Sequence, residues 1–244
     1  MTPVSYLLRV LLNDRPGSLG MLAVQLGAVG ADIRSLEVVE RGDGYVVDDL
    51  VVDLAKGSLP DTLITAAEKV SGVRVDSLRP HAGVLDTHQE LELIDMVATG
   101  GKDRLQILAD YAPRVLRVSW ATIISKPGTA EVLRLYGSSG APETPLERAD
   151  WLPLEDARTF DPDSTWIPQS WRDLDTRLAA APLGEAGKVL LLGRIGGPGF
   201  RPAEVARLGY LAGIIGTLLK RDKKTGDKKS GDQGSGGRDQ RSPV

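Results

Sequence analysis

The sequence predicts an α+β protein of two sheet-bearing units followed by a polar tail. Three observations carry this. Six strand-like and helix-like patterns alternate within the first 80 residues. A polar stretch, RPHAGVLDTHQE, then separates them from a second run that ends in a buried strand pattern and a long apolar helix pattern. From Arg221 onward no apolar residue occurs before Val244. At roughly 100–200 residues per domain, 244 residues suit two small domains or one large one.

The first unit reads in order. Tyr6–Leu12 is an apolar run of strand length, and NDRPG after it is turn chemistry, with Pro fixing φ and Gly permitting an unusual backbone. Leu19, Leu22, Ala23, Leu26 and Val29 recur at three- and four-residue steps, a helix that Gly30 is placed to end. Ile33–Arg41 and Tyr45–Leu54 flank Gly42-Asp43-Gly44, a hairpin signal. Ser58 suits an N-cap, with Asp61 where a capping-box acid belongs and Pro60 tolerated in the first turn. Leu63, Ala66, Ala67 and Val70 share the face of that helix, Gly72 ends it, and Val73–Leu78 is the last strand. The order βαββαβ suits a four-stranded antiparallel sheet with two helices on one face, the ferredoxin-like arrangement, over residues 1–80.

Residues 81–89 are expected as a linker, with His81 and His88 exposed in it. The second unit spans 90–220. Glu90–Ala98 and Lys102–Leu116 read as helices broken at Gly100-Gly101. Val118–Ser125 and Glu131–Tyr136 read as strands, and 137–172 is rich in Pro, Asp, Ser and Trp without a clear period. Lys188–Arg194, KVLLLGR, is a strand buried on both faces, and Pro202–Leu219 is a helix with Pro near its first position. Residues 221–244 carry seven Lys/Arg against four Asp/Glu, and with five glycines they are expected as a disordered basic tail.

Composition narrows the chemistry. With no cysteine there is no disulfide, thiolate nucleophile or cysteine metal site. Two histidines close together in a polar stretch argue against a multi-histidine metal site and a serine–histidine triad. A net charge of −3 gives no general case for nucleic acid. The longest apolar stretch, Leu208–Leu219, is short of the ~18 residues that cross a bilayer. The N-terminus has no basic n-region, so a cytoplasmic location without a signal peptide is expected. No metal and no cofactor are expected.

The turn Asn13-Asp14-Arg15-Pro16-Gly17-Ser18-Leu19 joins a strand to a helix N-terminus. Free N–H groups and the helix dipole there favour an anion, and Gly17 lets a ligand approach the backbone. Asn13 and Asp14 supply an amide and a carboxylate beside it. Such a turn can hold a free amino acid, its carboxylate on N–H groups and its ammonium on Asp14. On spacing alone, an ordinary strand-to-helix turn explains the same residues.

The 80-residue unit resembles the ACT domain, a regulatory module that binds amino acids. The resemblance lies in D-R-P-G-x-L after the first strand and G-A-D-I before the second. It implies side-by-side pairing into a homodimer with the ligand at the pairing interface. By motif position Asp14, Gly17, Ser18 and Leu19 belong to the loop of one chain, and Asp32 and Ile33 to the second strand of its neighbour. A common variant has neutral Asn at the positions of Asp14 and Asp32, so two acids here imply a basic or amine-bearing ligand, or an empty site. The second unit resembles a GAF domain, a sensor module with a central antiparallel sheet flanked by helices. That resemblance lies in AGKVLLLGRIGGPGFRPAEVARLGYLAGIIGTLL, a buried strand, a Gly-rich turn, a Phe and a closing helix. The Asn-Lys-x-Phe-x-Asp-Glu signature of the cyclic-nucleotide version is absent.

Other motifs carry less. Arg41-Gly42-Asp43 is a hairpin tip, and Gly100-Gly101-Lys102 lacks the phosphate-loop glycine, Met96 standing in its place. Asp48 falls on the face opposite Asp49 and Asp53, and all three are expected as solvated or edge carboxylates. Phe160, Trp166 and Trp171 form either a lid or a cluster anchoring a long loop. Val205, Leu208, Ala212, Ile215 and Leu219 make a heptad-like seam, for packing on the unit's own sheet or for a dimer. The function expected is a non-catalytic regulatory protein that binds an amino acid or similar small molecule. The alternatives are an accessory subunit docking on a biosynthetic enzyme, or an enzyme built on the second unit.

Overall fold

The computed structural model of the chain describes residues 4–81, 89–128, 131–184 and 187–231. His88 and most of the expected linker lie outside them. The first unit runs β1 (Val4–Asn13), α1 (Ser18–Ala28), β2 (Asp32–Arg41), β3 (Tyr45–Leu54), α2 (Asp61–Glu68) and β4 (Arg74–Pro80). Its sheet has the order β2-β3-β1-β4 with antiparallel neighbours, as the ferredoxin-like reading requires. Alternation along β1 sends Leu8, Val10 and Leu12 to one face. There they meet Leu50, Val52 and Leu54 of β3, Leu22 and Leu26 of α1, and Leu63, Ala66 and Ala67 of α2.

One boundary differs. Helix α2 begins at Asp61, with Pro60 at the N-cap position, so Ser58 is not the cap. Pro60 sits comfortably in the helical region, but a residue preceding proline is biased away from it, and this moves the helix start past Leu59. The Ser58 N–H bonds to the Ala55 carbonyl in the preceding turn, at 3.0 Å.

The second unit comprises α3 (Gln89–Thr99), α4 (Arg104–Val115), β5 (Trp120–Ser125), β6 (Leu133–Gly137), β7 (Arg158–Thr159), α5 (Gln169–Arg172), β8 (Arg177–Pro182), β9 (Lys188–Arg194) and α6 (Pro202–Gly231). A 3-10 turn, Gly101–Asp103, joins α3 to α4. Five strands form an antiparallel sheet of order β6-β5-β9-β8-β7. Strand β8, RLAAAP, was not expected, because alanine carries little strand preference. Its small side chains suit it to lie under a helix: Ala179 and Ala181 pack with Leu208, Leu211, Ala212 and Ile215 of α6.

Helices α3, α4 and α6 cover one face of this sheet, and the irregular segment 138–172 covers the other. Helix α6 spends its apolar seam on its own sheet. Its Gly216 lies so close to the β8–β9 connection that a Cβ there would come within 2.7 Å of the Gly184 nitrogen. The helix also runs past Leu219 to Gly231, so the expected tail is helical over its first eleven residues. A helix nucleated by packed turns extends at little cost through polar residues that lack proline. Residues 232–244 lie outside the described residues.

Candidate functional site

Gly17 ends the β1–α1 turn in the left-handed region, φ 91°, which glycine alone adopts freely. It caps α1 with no side-chain hydrogen bond. The Ser18 N–H bonds back to the Arg15 carbonyl at 3.1 Å, which leaves the N–H groups of Leu19 and Gly20 as the open donors of the first turn. No atom lies within 4 Å of where a Gly17 Cβ would stand, so the backbone is approachable from outside. An open groove flanks this turn, lined by Gly17, by Gly20, Met21 and Val24 of α1 and by Lys69 beyond α2.

The remaining expected residues fall differently. Asp14 is tied to the β2–β3 hairpin: its carboxylate pairs with Arg41 at 3.3 Å and its N–H bonds to the Gly44 carbonyl at 3.1 Å. Its charge is therefore partly answered within the chain. The Asn13 amide lies against Gly72, where a Cβ would meet its Nδ2 at 2.1 Å. Ser18 is buried, and Leu19 is exposed. Asp32 and Ile33 stand at the far end of the sheet. Asp32 pairs with Asp53 of β3 whereas Asn13 pairs with Tyr45, eight residues away along that strand or ~26 Å at 3.3 Å per residue. The Asp32 side chain is solvent-facing and Ile33 packs against the first core. The two halves of the expected site do not meet within one chain.

The sequence reading missed a larger polar assembly. On the face of the first sheet away from its helices, Arg9 of β1 grips Asp49 of β3 with two bonds, Nε–Oδ1 at 2.7 Å and Nη2–Oδ2 at 2.9 Å. Both residues are shut away from solvent, at 1% and 0% exposure. Arg9 also reaches across to Glu204 in the first turn of α6, at 3.0 and 3.1 Å. Glu204 accepts the Arg201 N–H at 2.9 Å, closing the helix start, and Arg194 of β9 at 2.8 Å. Arg117 donates to Asp49 at 2.5 Å and bonds to Glu37 of β2, which also takes Arg207 of α6 at 2.8 Å. Arg207 in turn pairs with Glu90 of α3. The Arg194 guanidinium lies 4.3 Å from the Phe200 ring centre. A cavity of about 100 Å³ sits within this seam, bounded by Arg9, Asp49, Arg117, Glu204 and Phe200.

Asp49 is thus a buried anchor and not the solvated or edge carboxylate expected. Asp48 is buried as well, on the helix-side face, with its Oδ1 unpartnered. Arg117 occupies the position after α4 where glycine commonly stands, with φ 53°, and the Val118 N–H closes the turn on the Pro113 carbonyl. That conformation aims its side chain at Asp49 and Glu37.

Charge balance sets the protonation states. Burial alone would raise the Glu204 carboxyl, but Arg194 and Arg9 outweigh it and hold it down at about 2. Asp49 is lowered for the same reason, Arg9 and Arg117 overcoming burial. Arg9 is raised, its bonds to Asp49 and Glu204 overcoming burial. Arg79 of β4 is lowered to about 10 by burial and by its neighbours Arg194 and Arg9. Asp48 is raised, chiefly by burial. The seam is an ionised structural network, not an acid–base pair poised near neutrality. Among the described residues, no three His, Cys, Asp or Glu side chains converge as a metal site would require, and no helix is long and apolar enough to cross a membrane.

The sequence matches no protein-family model and no curated protein. Among solved structures, the chain is similar to the ACT domain from the GTP pyrophosphokinase of Chlorobium tepidum, at 19% identity over 33% of this chain and 100% of that one, with a TM-score of 0.27. It is also similar to an unknown protein from Galdieria sulphuraria, at 12% identity over 90% of this chain and 94% of that one, with a TM-score of 0.31. Both scores are too low to establish a common fold.

Proposed function

We propose that this is a non-catalytic, cytoplasmic regulatory protein that binds a free amino acid at the β1–α1 turn. The observation that supports the reading most is the start of α1: a left-handed glycine, no side-chain cap and open N–H groups at Leu19 and Gly20. A carboxylate satisfies those donors and the helix dipole together. The ACT-like motif around Gly17 points the same way. Side-by-side pairing through β2, one of the two edge strands of the first sheet, would bring Asp32 and Ile33 of a second copy to the turn that they cannot reach within one chain. The second unit acts as the GAF-like receiver. Strand β1 ends at the ligand turn and carries Arg9 four residues earlier, so a shift in the turn bears directly on the seam. Such a protein works by differential affinity between its two states.

An accessory-subunit reading is favoured by one observation, the exposed Met21 and Val24 on α1 beside the same turn. Calorimetry of the full chain against the twenty amino acids separates the readings. A saturable heat with one of them, lost in Gly17→Ala, is expected. No binding by any amino acid at millimolar concentration sinks the sensor reading and leaves the docking one. Sedimentation that finds only monomer in the presence of a bound amino acid removes the pairing and keeps the turn.

A further inference from the structure

The second sheet carries a separate cavity that plays no part in this reading. It opens between β5, β6 and the irregular cover and has a volume of about 60 Å³. At ~10–15 Å³ for a water-sized atom this is room for roughly four to six non-hydrogen atoms. Its buried wall is apolar, with Ile124, Leu146 and the Trp171 ring, and Thr122 beside them. Arg134 stands exposed at the rim.

Its polar side chains are Arg134, the Trp171 indole and the hydroxyls of Thr122 and Thr144, the last sharing a hydrogen bond with Ser170 at 3.2 Å, and the one charge among them is that of Arg134. The Trp171 indole N–H is buried and has no acceptor. An indole N–H can only donate, and leaving it unmatched in a dry site is unfavourable. Arg134 spends Nη1 on the Pro142 carbonyl at 2.6 Å and keeps further donors in its fork. The Thr122 hydroxyl proton goes to the Tyr136 carbonyl at 2.8 Å. No carboxylate side chain lines the cavity. An occupant must therefore supply acceptors, favour a cation at one end and present an apolar body to Ile124, Leu146 and the indole.

We propose that this cavity binds a small apolar monocarboxylate, with the carboxylate taken by Arg134 and the Trp171 N–H and a short alkyl body against Ile124 and Leu146. This gives the second unit a ligand of its own, independent of the amino acid proposed for the first.

Titration of the full chain with isobutyrate, followed by tryptophan fluorescence and calorimetry, tests this. Isobutyramide is the neutral control of equal size. Saturable binding of the acid is expected, with the amide at least about tenfold weaker, the scale of losing a hydrogen bond to a charged group. Arg134→Gln and Trp171→Phe are each expected to weaken the acid by about tenfold or more, and Gly17→Ala is expected to leave it unchanged. Arg134 is exposed, so its variant decides the matter even if Trp171→Phe folds poorly. Wild-type affinity in Arg134→Gln, equal binding of acid and amide, or no saturable binding at millimolar isobutyrate overturns the proposal. Loss of binding in Gly17→Ala alone places the acid at the first unit and overturns it as well.

Discussion

Each of the two sheets has helices on one face, and the difference lies in what covers the other. The second sheet is covered by its own chain. Residues 138–172 fold back over it and fill the gap with Trp171 edge-on to Trp120 and with Trp151, Phe160 and Trp166 packed in tilted and edge-to-face pairs. The first sheet is covered by the second unit, and the filling at its centre is charge, with Leu7, Val47 and Val51 buried on the same face. Apolar cover from within a unit is insensitive to how that unit is oriented. A seam of bidentate ion pairs has one geometry in which its charges are answered, so it fixes the two units in a single register. Buried charges are weak as net stabilisers but exacting about partners.

The largest way to break this contrast is to remove one charge from the seam. Asp49→Ala leaves Arg9 and Arg117 buried without their shared carboxylate, and a loss of about 3–5 kcal/mol is expected in chemical unfolding. The paired change Arg9→Met with Asp49→Leu removes both charges together and is expected to recover most of that loss. Equal damage from the single and paired changes would show that volume, and not charge, holds the seam.

Acid sharpens the same comparison. Glu204 has a folded pKa near 2 against an ordinary 4.5. Its folded value is lowered, so its contribution is complete above the ordinary value and is lost as pH falls from there toward 2. The amount is about 3 kcal/mol at ~1.4 kcal/mol per unit. Asp49 adds in the same direction. Unfolding in urea at pH 7, 4.5 and 3 should show this decline, and Glu204→Gln should flatten it while lowering stability at pH 7. A profile as steep in the variant as in the parent would place the acid sensitivity elsewhere.

The aromatic cover is tested by a smaller change. Gly193 of β9 lies under Trp120, where a Cβ would come within 2.0 Å of the ring. Gly193→Ala is expected to cost about 1–3 kcal/mol by overpacking. It should leave the pH dependence set by Glu204 untouched, since it does not touch the seam. A changed pH profile would show that the two covers are coupled through β9, which carries both Gly193 and Arg194.

The first unit was legible because each of its elements follows from local pattern. Its strands are apolar runs of strand length, its helices repeat at three and four residues, and its turns use Gly and Pro where φ demands them. The seam was less legible for a physical reason. Arg9 inside YLLRVLL and Asp48-Asp49 inside YVVDDLVVDL were visible as charges in apolar strands. The ferredoxin-like order even implies that these strands are neighbours. Pairing Arg9 with Asp49 needs the register of β1 on β3, and burying them needs a second unit that no local period announces. Arg117 was hidden further, since its role depends on a left-handed backbone that sequence favours only for Gly or Asn. Gly17 was found because its requirement is local. The separation of Asp14 from Asp32 follows only once β2 and β3 are paired along their length.

The smallest expected effect is also of opposite sign. Asp48 faces the apolar side of the first sheet, buried, with Oδ1 unpartnered. Burial raises its pKa, with Asp49 and Asp14 adding to the rise and Arg41 opposing it. A folded value above the unfolded one means that the ionised group opposes folding at neutral pH. That penalty disappears as pH falls and the group takes up its proton. Asp48→Asn removes the charge and keeps the shape. It is expected to raise stability at pH 7 by about 1 kcal/mol, the low end of the cost of a buried polar group without its partner, and to change nothing near pH 3. Asp49→Asn, one residue along on the opposite face, should destabilise at pH 7. Thermal unfolding of the two variants at both pH values reads the difference directly. If Asp48→Asn also destabilises at pH 7, its carboxylate is answered by Arg41 more fully than its burial suggests, and the helix-side face of the sheet holds a charge pair of its own.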